Sequence, residues 1–166
     1  AILPGGERAM TDSPTGPYKN AGDYGSGIIS YTTYITSQAF SLSSCITPVL
    51  TFRHDYAIVK YGPSQDVGRV EISTNDGATW TELRNYSGGI QGLGAQDVES
   101  PEWTNVDWED VEISLSAYTG TVRLRFGLEV DQSLSDRGWV IDDVMVKSGS
   151  AVTGTGVFLP IVLKEE

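Results

Sequence analysis

Two adjacent carboxylates, Asp142 and Asp143, interrupt the apolar run Gly138-Trp139-Val140-Ile141-Asp142-Asp143-Val144-Met145-Val146. On an extended chain successive side chains point to opposite faces. Asp142 then shares a face with Val140, Val144 and Val146, and Asp143 shares one with Trp139, Ile141 and Met145. The pattern predicts that at least one carboxylate is enclosed, which is costly unless a cation, an arginine or backbone amides meet it. Calcium (Ca2+), an oxygen-seeking cation, suits that need in an acidic protein. Asp142 and Asp143 would be its ligands, joined by Asp12, Asp131 or loop carbonyls. Bonding to loop amides, or to Arg53 or Arg137, is the other reading of the same pair.

Catalytic combinations are scarce. A zinc peptidase needs a cluster such as His-Glu-x-x-His, and the chain has one histidine, His54. A Cys–His dyad would have to join His54 to the single cysteine, Cys45, and both fall on segments that read as core. No Gly-x-Ser-x-Gly turn is present to strain a nucleophilic serine. Paired carboxylates for glycoside cleavage are defined by a separation in space that the sequence does not give. The expectation is a protein that is not an enzyme.

Aromatic side chains offer recognition instead, because their faces cover the apolar faces of sugars and tyrosine adds a hydrogen-bonding hydroxyl. The candidates are Trp103, in the acidic stretch Glu99 to Asp110, and Tyr18, Tyr24, Tyr31 and Tyr34. Tyrosines at strand edges also serve simply to cover a sheet, and that reading stands beside the first.

The elements that position these residues are strands. Val122, Leu124, Phe126, Leu128 and Val130 interleave with Thr121, Arg123, Arg125, Gly127 and Glu129, the signature of a half-buried strand. Leu50, Phe52, His54 and Tyr56 give a second, and Val70 and Ile72 a third. Further strands are expected at Ile28 to Thr36, Ala39 to Leu42, Thr79 to Arg84, Val111 to Leu115 and Gly138 to Lys147. With no helical stripe to cover a parallel sheet, the expected fold is all-β: a two-sheet antiparallel β-sandwich of jelly-roll type. The single cysteine leaves no counterpart for the bridged strand pair of an immunoglobulin domain.

Between two of these strands, Ser73-Thr74-Asn75-Asp76-Gly77-Ala78-Thr79-Trp80 fits the Asp-box pattern Ser-x-Asp/Asn-x-Gly-x-Thr-Trp. The turn asks Asn75 or Asp76 to bond backbone amides, Gly77 to take positive φ, and Trp80 to pack beneath. It resembles the boxes of sialidases, where they are structural and lie away from the catalytic pocket.

Ser87 to Asp107 reads as a long loop, and residues 148–156 as a flexible linker rich in Gly, Ser and Thr after a domain spanning 1–147. Residues 157–166 form an apolar tail in which Val157, Phe158, Leu159, Ile161, Val162 and Leu163 could add a strand to a neighbouring copy and build an extracellular filament. Pro160 restricts that strand to an edge or a bulge. Folding back onto its own sandwich is the alternative. The net charge of −11 over 166 residues argues against nucleic acid as a partner. No apolar run approaches the roughly 18 residues of a membrane-crossing helix.

Taken in order, several segments resemble the MAM-like jelly-roll domains of bacterial secreted proteins, including those appended to immune inhibitor A-type metallopeptidases. They are Thr11-Asp12-Ser13-Pro14-Thr15-Gly16-Pro17-Tyr18, Leu50-Thr51-Phe52-Arg53-His54, Gly68-Arg69-Val70-Glu71-Ile72-Ser73, Trp108, Ile113 to Gly120, Val122 to Phe126 and Gly138 to Val144. The resemblance covers residues 10–147. It implies a secreted, non-catalytic module used in adhesion or in targeting to a carbohydrate or an extracellular protein. Related carbohydrate-binding jelly rolls end in a similar Asp-Asp-Val strand that helps hold a structural calcium, which implies Asp142 first and Asp12 second as ligands. The chain departs from the family in its long Ser87 to Asp107 loop and in carrying no peptidase part.

Overall fold

Apolar alternation and turn chemistry together produce a chain built almost wholly of strands. The computed structural model describes residues 10–11, 18–61, 64–89, 108–132, 135–148, 158–160 and 163–165. In order the elements are β1 (Met10–Thr11), a 3-10 turn (Ala21–Tyr24), β2 (Ser30–Ser37), β3 (Phe40–Ser41), β4 (Pro48–Ile58), β5 (Lys60–Tyr61) and β6 (Ser64–Gln65). They continue with β7 (Val67–Ser73), β8 (Thr81–Tyr86), β9 (Gly88–Gly89), β10 (Glu109–Ser114), β11 (Thr121–Asp131), β12 (Gly138–Ser148), β13 (Phe158–Pro160) and β14 (Leu163–Glu165).

One sheet has the order β1-β12-β4-β10, with β13 also on β12 and β9 also on β4; the other runs β14-β2-β11-β7-β8, with β3 on β11. A small hairpin joins β5 to β6. The pairings are antiparallel. From β2 to β12 the long strands change sheet at every step except the β7–β8 hairpin, which gives the jelly-roll sandwich its topology.

The core is the set of inward-facing alternate residues. Val122, Leu124, Phe126, Leu128 and Val130 of β11 are all buried, facing Leu50 and Phe52 of β4, Val111 and Ile113 of β10, and Ile141 and Val146 of β12. Phe52 meets Phe126 edge-on across the sheets, with ring centroids 5.2 Å apart. Each such side chain contributes about 1.5–3 kcal/mol by leaving water.

Alternation fails at one place in β12, and it is the place where the carboxylates lie. Asp142 pairs with Arg53 and Met145 with Thr51, so Asp143 and Val144 together stand opposite Phe52 alone. This is a β-bulge. Asp143 takes φ +52, in the left-handed region, and donates its N–H to Asp142 Oδ1 at 2.8 Å. The expected enclosed carboxylate is therefore absent: the extra residue turns the pair outward, leaving Asp142 half-buried and the Asp143 side chain 70% exposed.

The apolar tail pairs with its own domain. Phe158, Leu159 and Pro160 lie against Lys147, Val146 and Met145 at the edge of one sheet, and Leu163, Lys164 and Glu165 lie against Ser37, Thr36 and Ile35 at the edge of the other. Pro160 sits on an edge strand, as its missing N–H requires. Val157, Ile161 and Val162 lie outside the described residues, as do residues 149–156 of the linker. Of the long loop, Gly88 and Gly89 pair with Ile58 and Ala57, and residues 90–107 lie outside the described residues.

Candidate functional site

Strand register gathers a polar patch on the outer face of the first sheet. Arg53 of β4 is flanked by Asp110 of β10 and Asp142 of β12. Its guanidinium lies over the Trp108 ring at 4.5 Å and 3.9 Å from Asp143 Oδ2. Its Nε is enclosed without a hydrogen-bond partner among the described residues. A cation thus already stands beside the two carboxylates expected to hold calcium.

Asp131 is elsewhere, at the end of β11. Its backbone N–H donates to Asp66 Oδ1 at 2.8 Å, and Asp66 Oδ2 accepts the Tyr18 hydroxyl at 2.5 Å. Tyr18 Oη in turn accepts the Val59 N–H at 3.0 Å, and the Tyr18 N–H donates to the Asp136 carbonyl at 3.0 Å. Burial raises the Asp66 carboxyl, and the charges of Asp131 and Glu129 raise it further, against the lowering effect of its hydrogen bonds. Burial and the hydrogen bond to Asp66 push the Tyr18 phenol strongly upward. The expected ligand set is not brought together: Asp142 and Asp143 keep company with Arg53, Asp131 with Asp66, and Asp12 lies outside the described residues. Among the described residues no three His, Cys, Asp or Glu side chains are placed to share a metal ion.

The outer face of the second sheet carries the Asp-box hairpin. Asn75 Oδ1 accepts the Thr79 N–H at 2.8 Å, Ser73 Oγ accepts the Gly77 N–H at 2.9 Å, and Gly77 takes φ +92. Asp76 receives Arg123 Nε at 2.6 Å, which ties the turn to β11. Trp80 then stacks on the Arg125 guanidinium at 4.2 Å while Tyr34 stacks on it at 3.9 Å. Arg125 Nε also donates to the nearly buried Glu71 at 2.7 Å. Tyr34 is thus engaged with Arg125, and its ring lies across Gly127, where an added Cβ would come within 2.5 Å of Cε1. Tyr31, on the same strand, is 38% exposed. Tyr24 closes the 3-10 turn, its side chain outside the described set, and Trp103 lies outside the described residues.

The two residues able to support nucleophilic chemistry are kept apart. His54 is fully enclosed in β4, ringed by Phe52, Tyr56, Tyr86 and Trp139. Its Nδ1 accepts the Trp139 indole N–H at 3.0 Å, which assigns the proton to Nε2, 3.8 Å from Glu109 Oε2. Burial, and secondarily the Arg84 charge, lower its pKa to about 4. Cys45 lies in the turn before β4, and His54 is about 20 Å beyond Pro48 at ~3.3 Å per residue.

That turn forms one wall of a cleft of about 430 Å³ at the end of the sandwich, facing the β10–β11 turn. The sequence reading missed it because the walls are far apart in the chain. The available signal was a shared composition, since both turns are rich in hydroxyls and free of charge.

No family model matches the chain. Over 45 residues it is 47% identical to Bacillopeptidase F of Bacillus subtilis (strain 168), a stretch amounting to 26% of this chain and 3% of that protein. The chain thus spans a small fraction of the curated relative it matches. Among the described residues no helix is long and apolar enough to cross a membrane.

Proposed function

We propose that the chain is an extracellular, non-catalytic β-sandwich module that serves adhesion or targeting to a carbohydrate or protein surface. One observation carries this reading: His54, the single imidazole, is sealed in an aromatic cage with Nδ1 already occupied, so it is unable to act as a general base on an external substrate. The stretch of identity with a peptidase supports a place beside a hydrolase rather than as one. Retention on insoluble polysaccharides or immobilised matrix proteins, with no product released from either, is the expected result. Release of cleaved product, or passage through every such column unretarded, would refute the reading.

Calcium belongs to this proposal at the Asp131 end of β11, where Asp66 adds a second carboxylate. Burial, with a smaller contribution from the Asp131 and Glu129 charges, raises the Asp66 carboxyl, and a cation there would favour its ionised form. A ligand held by the folded state raises the melting temperature, so EGTA should lower Tm; an unchanged Tm removes calcium from the account.

A further inference from the structure

We propose that the ligand site of this module is the cleft between residues 42–48 and 115–120, and that it takes an uncharged saccharide. The inference rests on the recognition reading above and assigns its site.

The cleft is built rather than incidental. The Leu42 N–H donates to the Gly120 carbonyl at 2.8 Å at one end, and the Leu115 N–H donates to the Pro48 carbonyl at 2.8 Å at the other. Each turn is also closed on itself, Cys45 N–H to the Leu42 carbonyl at 2.9 Å and Tyr118 N–H to the Leu115 carbonyl at 2.9 Å. Two walls fastened to each other at both ends are preorganised, so a ligand does not have to order them. Thr47 takes φ +48, a costly conformation for a β-branched residue and one that gathers at ligand sites.

The chemistry of the lining selects the ligand. Ser43, Thr47, Ser116, Tyr118 and Thr119 bring hydroxyls, and Cys45 a thiol. Neither 42–48 nor 115–120 contains an Asp, Glu, Lys, Arg or His, in a chain with 22 acidic and 11 basic residues. With no charged group to pair, an ionic ligand would lose its hydration without compensation. Hydroxyls that donate and accept match the hydroxyls of a sugar, while the Tyr118 ring offers a face to its C–H groups. Ile46, flanked by two lining residues, is 65% exposed and extends that apolar contact at the rim. The volume of about 430 Å³ falls in the range of roughly 300–1,000 Å³ typical of small-ligand sites.

The test uses cellohexaose, xylohexaose, mannohexaose, laminarihexaose and chitohexaose, with oligogalacturonate as a charged comparator, titrated into the full chain by calorimetry. At least one uncharged probe should bind, and Tyr118→Ala should weaken it by about tenfold or more. Tyr118 leans on the core, so Thr119→Arg, at an exposed position, provides a second variant that fills the cleft from outside and should abolish binding. On the unaltered protein, the bound probe should slow alkylation of the single cysteine, Cys45, by iodoacetamide. Binding that survives both variants, or leaves Cys45 unprotected, overturns the cleft while sparing recognition elsewhere on the module. Failure of every uncharged probe alongside retention on oligogalacturonate or a matrix protein overturns the saccharide assignment. Failure of all of them defeats both readings.

Discussion

His54 can gain a second proton only at Nδ1, the atom that accepts the Trp139 indole N–H. Protonation therefore breaks that bond and buries a charge. With a folded pKa of about 4 against 6.5 unfolded, the unfolded chain takes up a proton first as pH falls. The contribution is complete above pH 6.5, declines between 6.5 and about 4, and amounts to roughly 3 kcal/mol. Urea titrations at pH 7 and pH 4 should show that loss, and His54→Phe should flatten the slope; an unchanged slope would mean that His54 titrates normally. Arg125 makes a second prediction at this scale. Removing it as Arg125→Met strips Glu71 of its cation and two rings of their stacking partner, at a cost of about 2–4 kcal/mol by urea unfolding. Arg125→Lys should recover only part, because an ammonium lacks the planar fork that meets a carboxylate and stacks between rings.

At the scale of elements, Gly127 shows why a strand position was reserved for glycine. It pairs with Tyr34, whose ring occupies the space of a side chain. Gly127→Ala should displace that ring, loosen the stack on Arg125 and lower stability by about 1–3 kcal/mol, read by thermal melting. Local chemistry of this kind separates what the sequence made legible from what it did not. The alternation from Val122 to Val130 and the Asp-box turn depend on neighbours within a few residues, and both were readable. The bulge at Asp143 was not, since Asp takes positive φ only occasionally and its apolar neighbours read as an unbroken strand. Nor was the Asp66 network, whose partners Tyr18 and Asp131 lie 48 and 65 residues away in the chain. The cleft was hidden for the same reason, because its walls meet only once β4 and β10 have paired.

For the whole molecule, the tail decides how the sandwich meets other copies of itself. With β13 and β14 in place the edges of β12 and β2 are covered. Deleting residues 157–166 should uncover both, lower Tm by several degrees and enlarge the particles seen in light scattering. Particles that shrink to monomers on the same deletion would instead favour the filament reading, in which the tail serves a neighbour.

Pro160 and Leu163 belong to opposite layers although only residues 161 and 162 separate them. That short span clips the two sheets together along one flank, and β10 and β8 end their sheets on the other. A strand paired on one side frays before one held between two neighbours, so amide deuteration should reach Glu109–Ser114 and Thr81–Tyr86 well before Met145–Lys147 and Ile35–Ser37.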